Sequence, residues 1–82
     1  MATFIPHAGL AKLLGSRVIE TTATTVRDLM SEVESRVPPG EWKQMQRAAI
    51  LINGVSIHRL KGMDTALAPE DKVWMVLPTG GG

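Results

Sequence analysis

The stretch Lys72-Val73-Trp74-Met75-Val76-Leu77, continued by Pro78-Thr79-Gly80-Gly81-Gly82, decides how the chain is read. Its first part is β-branched, aromatic and apolar, and it follows the turn-like Ala68-Pro69-Glu70-Asp71, so it predicts a strand over 72–77. If Val73, Met75 and Leu77 point at a core, period-two alternation turns Trp74 and Val76 outward. Three consecutive glycines neither pack nor cap, and they carry maximal backbone entropy. The expected organisation is a folded body over residues 1–77 and a flexible glycine tail over 78–82. Those last five residues reach about 16 Å when extended, and without side chains they suit passage through a narrow channel.

Upstream lies the clearest helix signal. Val26, Leu29, Met30, Val33 and Val37 recur at helical spacing, while Arg27, Asp28, Ser31, Glu32, Glu34 and Ser35 fill the opposite face. Thr25 suits the N-cap, and Pro38-Pro39-Gly40 ends the helix, which is expected over 25–37. The unbroken run Ala48-Ala49-Ile50-Leu51-Ile52 reads as a central strand buried on both faces. Asn53-Gly54 suits a type I′ turn, and Val55-Ser56-Ile57 forms the returning strand, which His58 and Arg59 end. At the front, 3–5 and 17–22 read as a hairpin joined by a long connection over 8–14. The element order is β-β-α-β-β-β, an α+β fold with one main helix against one face of a mixed sheet. Trp42 is expected to close the core beneath a loop.

Composition removes several classes of function. Nine Lys+Arg against eight Asp+Glu leave a net charge of +1, too even for a phosphate-tracking surface, so no nucleic-acid partner is expected. No apolar run approaches the ~20 residues of a membrane helix, and no basic, apolar leader follows Met1, so the expectation is a cytoplasmic protein off the membrane. Without cysteine there is no disulfide, thiolate metal site or Cys nucleophile. His7 and His58 stand apart in sequence, and no Ser or Thr has an acid–His pattern beside it. The carboxylates of 28–41 lie on the polar helix face or its exit loop. An 82-residue chain builds one small core with little room for a deep cleft, which favours a carrier or binding module over an enzyme. No bound metal or cofactor is expected, and the free protein is expected to be monomeric.

The ordered set of motifs resembles the ubiquitin-like β-grasp sulfur carriers: the small subunit of molybdopterin synthase, the thiamine-pathway carrier and the carrier of a cysteine-forming pathway. The similarity runs through Thr25-Val26-Arg27-Asp28-Leu29, Ile50-Leu51-Ile52-Asn53-Gly54, Leu60-Lys61-Gly62-Met63-Asp64-Thr65-Ala66-Leu67, Asp71-Lys72-Val73 and the glycines. Pro69-Glu70-Asp71 replaces the usual Asp-Gly-Asp turn, and Leu77-Pro78 replaces the usual Pro-Pro. Aligned from the end, Gly81 and Gly82 match the family's Gly-Gly, and Gly80 is additional. Phe4-Ile5-Pro6 is similar to the opening of the cysteine-pathway subgroup.

The resemblance implies that the Gly82 carboxylate is the reactive group. An E1-like adenylating enzyme, using its own ATP and Mg²⁺, would activate it. A sulfur donor would convert it to a thiocarboxylate, and a sulfur-accepting biosynthetic enzyme would receive the sulfur. Gly80 and Gly81 would give access to the partner's channel. Trp74, Val76 and Pro78 would dock the partner, with Arg59 and Lys61 (and Arg47) orienting the tail towards acidic surface. Two alternatives stay open: a ubiquitin-like modifier forming isopeptide bonds through the same glycine, and an interaction domain whose glycines are incidental.

Overall fold

The computed structural model describes residues 1–45 and 47–77. The expected flexible tail, with Pro78, Gly80, Gly81 and Gly82, lies outside the described residues. Strands β1 (Ala2–Ile5), β2 (Ile19–Thr21), β3 (Ala49–Ile52), β4 (Val55–Ser56) and β5 (Lys72–Val76) form one sheet. Their spatial order is β2-β1-β5-β3-β4, in which only β1 and β5 run parallel. Helices α1 (Ala8–Leu14), α2 (Val26–Glu34) and α3 (Pro39–Met45) complete the fold. This is the expected mixed-sheet α+β architecture, with two helices more than the sequence reading supplied.

Helix α2 forms for the reason its pattern gives. Thr25 Oγ1 accepts the Asp28 N–H at 3.1 Å, and Val26, Leu29, Met30 and Val33 are all buried against the sheet. The helix stops at Glu34, three residues earlier than expected. Arg36 and Val37 N–H groups bond to the Val33 and Glu34 carbonyls, a tightened turn that brings Val37 into the core before Pro38.

Two segments differ from expectation. The connection over 8–14 is helix α1, capped by His7 in place of Ser, Thr, Asp or Asn and ended by Gly15. Helix α3 begins at Pro39, because proline is tolerated in the first turn, where its missing N–H costs nothing. Trp42 therefore packs against the core from a helix rather than from a loop.

The strands also correct two expectations. The central strand is β5, not the 48–52 run, since β5 is flanked by β1 and β3. Nor is β3 buried on both faces: Ile52 is buried, Ile50 and Leu51 are partly buried, and Ala49 is exposed. The helices cover one face only, where Ala2, Phe4, Val73, Met75 and Ile52 meet α2. Asn53 and Gly54 have φ of 51° and 89°, the positive values a type I′ turn requires. The returning strand is only Val55–Ser56. Ile57–Arg59 is a 3-10 turn, so His58 and Arg59 lie past the strand rather than ending it.

His7 joins the two unexpected helices. Its Nδ1 accepts the Leu10 N–H at 3.1 Å, and Nε2 faces the Met45 sulfur at 2.9 Å. An accepting Nδ1 is unprotonated, so the neutral ring carries its proton on Nε2. Burial lowers the His7 pKa below 6.5. The unfolded chain then binds the proton more readily, so the contribution is full above pH 6.5 and is lost as pH falls through the folded-state value. Thermal melts should show stability falling from pH 7.5 to pH 5 more steeply for wild type than for His7→Asn, whose Oδ1 can cap without titrating. Identical pH dependence would exclude this role for His7.

Candidate docking face and tail root

The uncovered face of the sheet carries the candidate site. Register pairs Ile5 with Trp74 and Trp74 with Leu51, and residues in register share a face. The row therefore runs Ile5–Trp74–Leu51 across three strands and ends at Ser56 on β4. A second row pairs Val76 with Ala49. Trp74 is 42% exposed and Val76 38%, as alternation predicts, while Val73 and Met75 are buried beneath them. Leu77, expected to point inward, is 44% exposed: it lies past the last paired residue, where the alternation no longer binds it.

Polarity changes along the strand. The row at the start of β5 consists of Lys72 paired with Thr3, and Thr3 paired with Glu20. The apolar rows lie at the other end, where the chain leaves the sheet. An exposed apolar surface around a tryptophan is the usual core of a protein contact, and here it adjoins the root of the tail.

Ile5 and Leu51 were not among the expected docking residues. As part of an unbroken apolar run Leu51 reads as core, and only the strand order reveals that it stands beside Trp74. Arg59 and Lys61 are exposed beyond β4, and β3 separates that strand from β5. The structure thus does not bring them to the strand that feeds the tail. Arg47 precedes Ala49, the partner of Val76, by two positions, and so stands at the end of the sheet where β5 finishes.

The most family-like motifs turn out to be structural ties. In Leu60–Leu67, the Thr65 hydroxyl donates to the Gly62 carbonyl at 2.7 Å and accepts the Lys61 N–H at 3.0 Å. Gly62 has φ of 58°, which suits glycine. The Thr65 carbonyl accepts the Val26 N–H, an otherwise orphan donor at the start of α2, and Asp64 pairs with Arg27 at 3.0 Å. Asn53 and Asp71 form a second tie. Asn53 Nδ2 donates to Asp71 Oδ1, Asn53 Oδ1 accepts the Lys72 N–H, and Asp71 Oδ2 accepts the Ala68 N–H. These side chains fix where β5 begins; they are engaged with one another rather than poised for catalysis.

Among the described residues no group of three His, Cys, Asp or Glu side chains is placed to hold a metal ion. Glu32 is half-buried and accepts a 2.8 Å bond from Thr21, so it serves the core rather than a solvated face. No helix of the described chain is long and apolar enough to cross a membrane.

The ThiS family profile matches residues 7–82. No curated protein sequence matches the chain. Small archaeal modifier protein 1 from Methanosarcina acetivorans superposes with a TM-score of 0.83 at 21% identity, covering 99% of this chain and 95% of that one. A chain of the Amycolatopsis orientalis BexX/CysO complex gives 0.81 at 18% identity, with both chains covered completely at 100%. The modifier protein from Haloferax volcanii gives 0.74 at 21%, covering 99% of this chain and 98% of that one. At these identities the likeness establishes the β-grasp fold. With the family match spanning the helix, the motif ties, the central strand and the glycines, the chain belongs to the ThiS family of ubiquitin-like sulfur carriers, small carrier proteins rather than enzymes.

Proposed function

We propose that this protein carries sulfur as a C-terminal thiocarboxylate on Gly82. A partner adenylating enzyme binds the exposed sheet face and receives the tail in its ATP site. The Gly82 carboxylate attacks the α-phosphorus, pyrophosphate leaves, and the acyl adenylate forms. A donor of sulfide-level sulfur then displaces AMP. The thiocarboxylate sulfur attacks an electrophilic substrate carbon in a biosynthetic enzyme, and hydrolysis of the resulting thioester leaves the sulfur on that carbon and restores the Gly82 carboxylate. ATP, Mg²⁺ and the donor belong to the partners. This chain supplies recognition through Trp74 and Val76, reach through residues 78–82, and access through Gly80 and Gly81.

The observation that carries this reading is the placement of the apolar rows. They occupy the tail-root end of the sheet, around an exposed Trp74, while the opposite end is polar. The family match through residue 82 supports the same assignment for the glycines. Likeness to archaeal modifier proteins keeps isopeptide conjugation as the second reading. Intact-mass analysis separates the two: a carrier gains the mass difference between sulfur and oxygen, whereas a modifier appears on larger conjugates.

Trp74→Ala should weaken binding to the cognate adenylating enzyme by about 2 kcal/mol, roughly thirtyfold in KM, as for a central aromatic anchor. Turnover at saturating carrier should be retained, because the tail is untouched. An unchanged KM would remove Trp74 from the interface.

A further inference from the structure

A recess lies beside the sheet face. Ile5, Pro6, Ala8 and Ala11 form its floor, between β1 and α1, and Lys12 and Arg17 stand at its rim. Its volume is about 640 Å³, open to solvent. Ile5 belongs both to this floor and to the row that contains Trp74, so recess and sheet face are one continuous surface.

The charge around the recess is one-sided. Residues 1–19 contain no Asp or Glu, and the first acidic residue is Glu20. Lys12 and Arg17 are exposed, and among the described residues neither takes part in an ion pair; Arg27 and Arg36 do. Ser16 does not offer its hydroxyl to the recess, since it donates to the Val18 carbonyl at 2.7 Å. Two cations, the charged residues that line the recess, stand over an apolar floor in a chain of net charge +1, and they are complementary to a segment with the reverse pattern.

We propose that the α1 recess receives an acidic segment of a partner protein, one apolar side chain of which sits on Ile5, Pro6 and Ala11 while flanking carboxylates meet Lys12 and Arg17. The apolar anchor supplies residence time, and the rim supplies approach rate and orientation. Where the partner is the adenylating enzyme, the inference rests on the proposed function; the recess chemistry itself does not.

Two measurements test it. The first is a titration of the ¹⁵N-labelled full chain with the blocked peptide Glu-Glu-Leu-Phe-Glu-Glu at low salt. Saturable shifts are expected for amides of residues 5–17, diminished at high salt, abolished in Lys12→Glu/Arg17→Glu and retained in the exposed control Lys43→Glu. Absence of saturable shifts in that segment, or equal shifts in the double variant, overturns the proposal. The second is activation by the adenylating enzyme, where the double variant should raise KM for the carrier about tenfold with kcat unchanged. An unchanged KM removes that enzyme as the occupant. Failure of the wild-type chain to be activated at all overturns the carrier reading, and the peptide titration still decides the recess.

Discussion

Deletion of Gly82 should abolish activation by the adenylating enzyme. The deletion withdraws the carboxylate by one residue, about 3.5 Å, from an α-phosphorus held in a fixed site. Misplacement of a reacting group by even 1 Å costs on the order of a hundredfold in rate, so the exchange of label between ATP and pyrophosphate should fall by at least that factor. Gly81→Ala tests a different requirement. The carboxylate keeps its position along the chain, and the new methyl group obstructs the channel, so thiocarboxylate formation should slow while the body of the protein and its docking face stay intact. Intact mass before and after incubation with ATP and a sulfur donor reads both variants. Full-rate exchange by the chain lacking Gly82 would end the carrier reading.

Phe4→Ala should be the most damaging change in the folded body. The Phe4 ring is fully buried on β1, between β2 and the central strand, so truncation to alanine removes a whole ring from the core. Phe-to-Ala changes in cores cost about 3–5 kcal/mol, and Leu29→Ala and Ile52→Ala should each cost about 2–5 kcal/mol. A small domain is stable by only about 5–15 kcal/mol in total, so Phe4→Ala should shift the urea midpoint far enough to populate the unfolded chain in mild denaturant. By contrast Leu60→Ala, at an exposed position, should change stability by less than about 0.5 kcal/mol. Losses below about 1 kcal/mol at Phe4, Leu29 and Ile52 together would contradict this core.

What the sequence reveals and conceals follows from how local each signal is. The α2 stripe, its Thr25 cap and the Asn53-Gly54 turn are decided within a few residues, and each appears where expected, with α2 shorter at its end. Helix α1 escaped because its cap is a histidine and Gly9 lowers its propensity; its stability comes instead from burial of Leu10 and the contact of His7 with Met45. Helix α3 escaped because Pro38-Pro39-Gly40 is a stop signal for the helix before it and also a permitted start for the one after.

The candidate site was half readable. Alternation along β5 suffices to turn Trp74 and Val76 outward, but their neighbours depend on strand order, which is a long-range property. The 48–52 run reads as doubly buried for a related reason. A strand with apolar residues on its exposed face as well as its covered one looks in sequence like one buried on both faces. An exposed apolar row thus has the appearance of core.

The position of β5 also bears on what happens when the tail is pulled. The strand is held on one side by parallel β1 and on the other by antiparallel β3. Ladder hydrogen bonds run roughly across the strand direction, so tension applied beyond Leu77 along the strand loads both ladders in shear. The bonds then share the force, whereas a terminal edge strand would peel away one bond at a time. Under the proposed function, a partner that draws the glycines into a channel would put them under tension without unravelling the domain, and the row around Trp74 would stay in register.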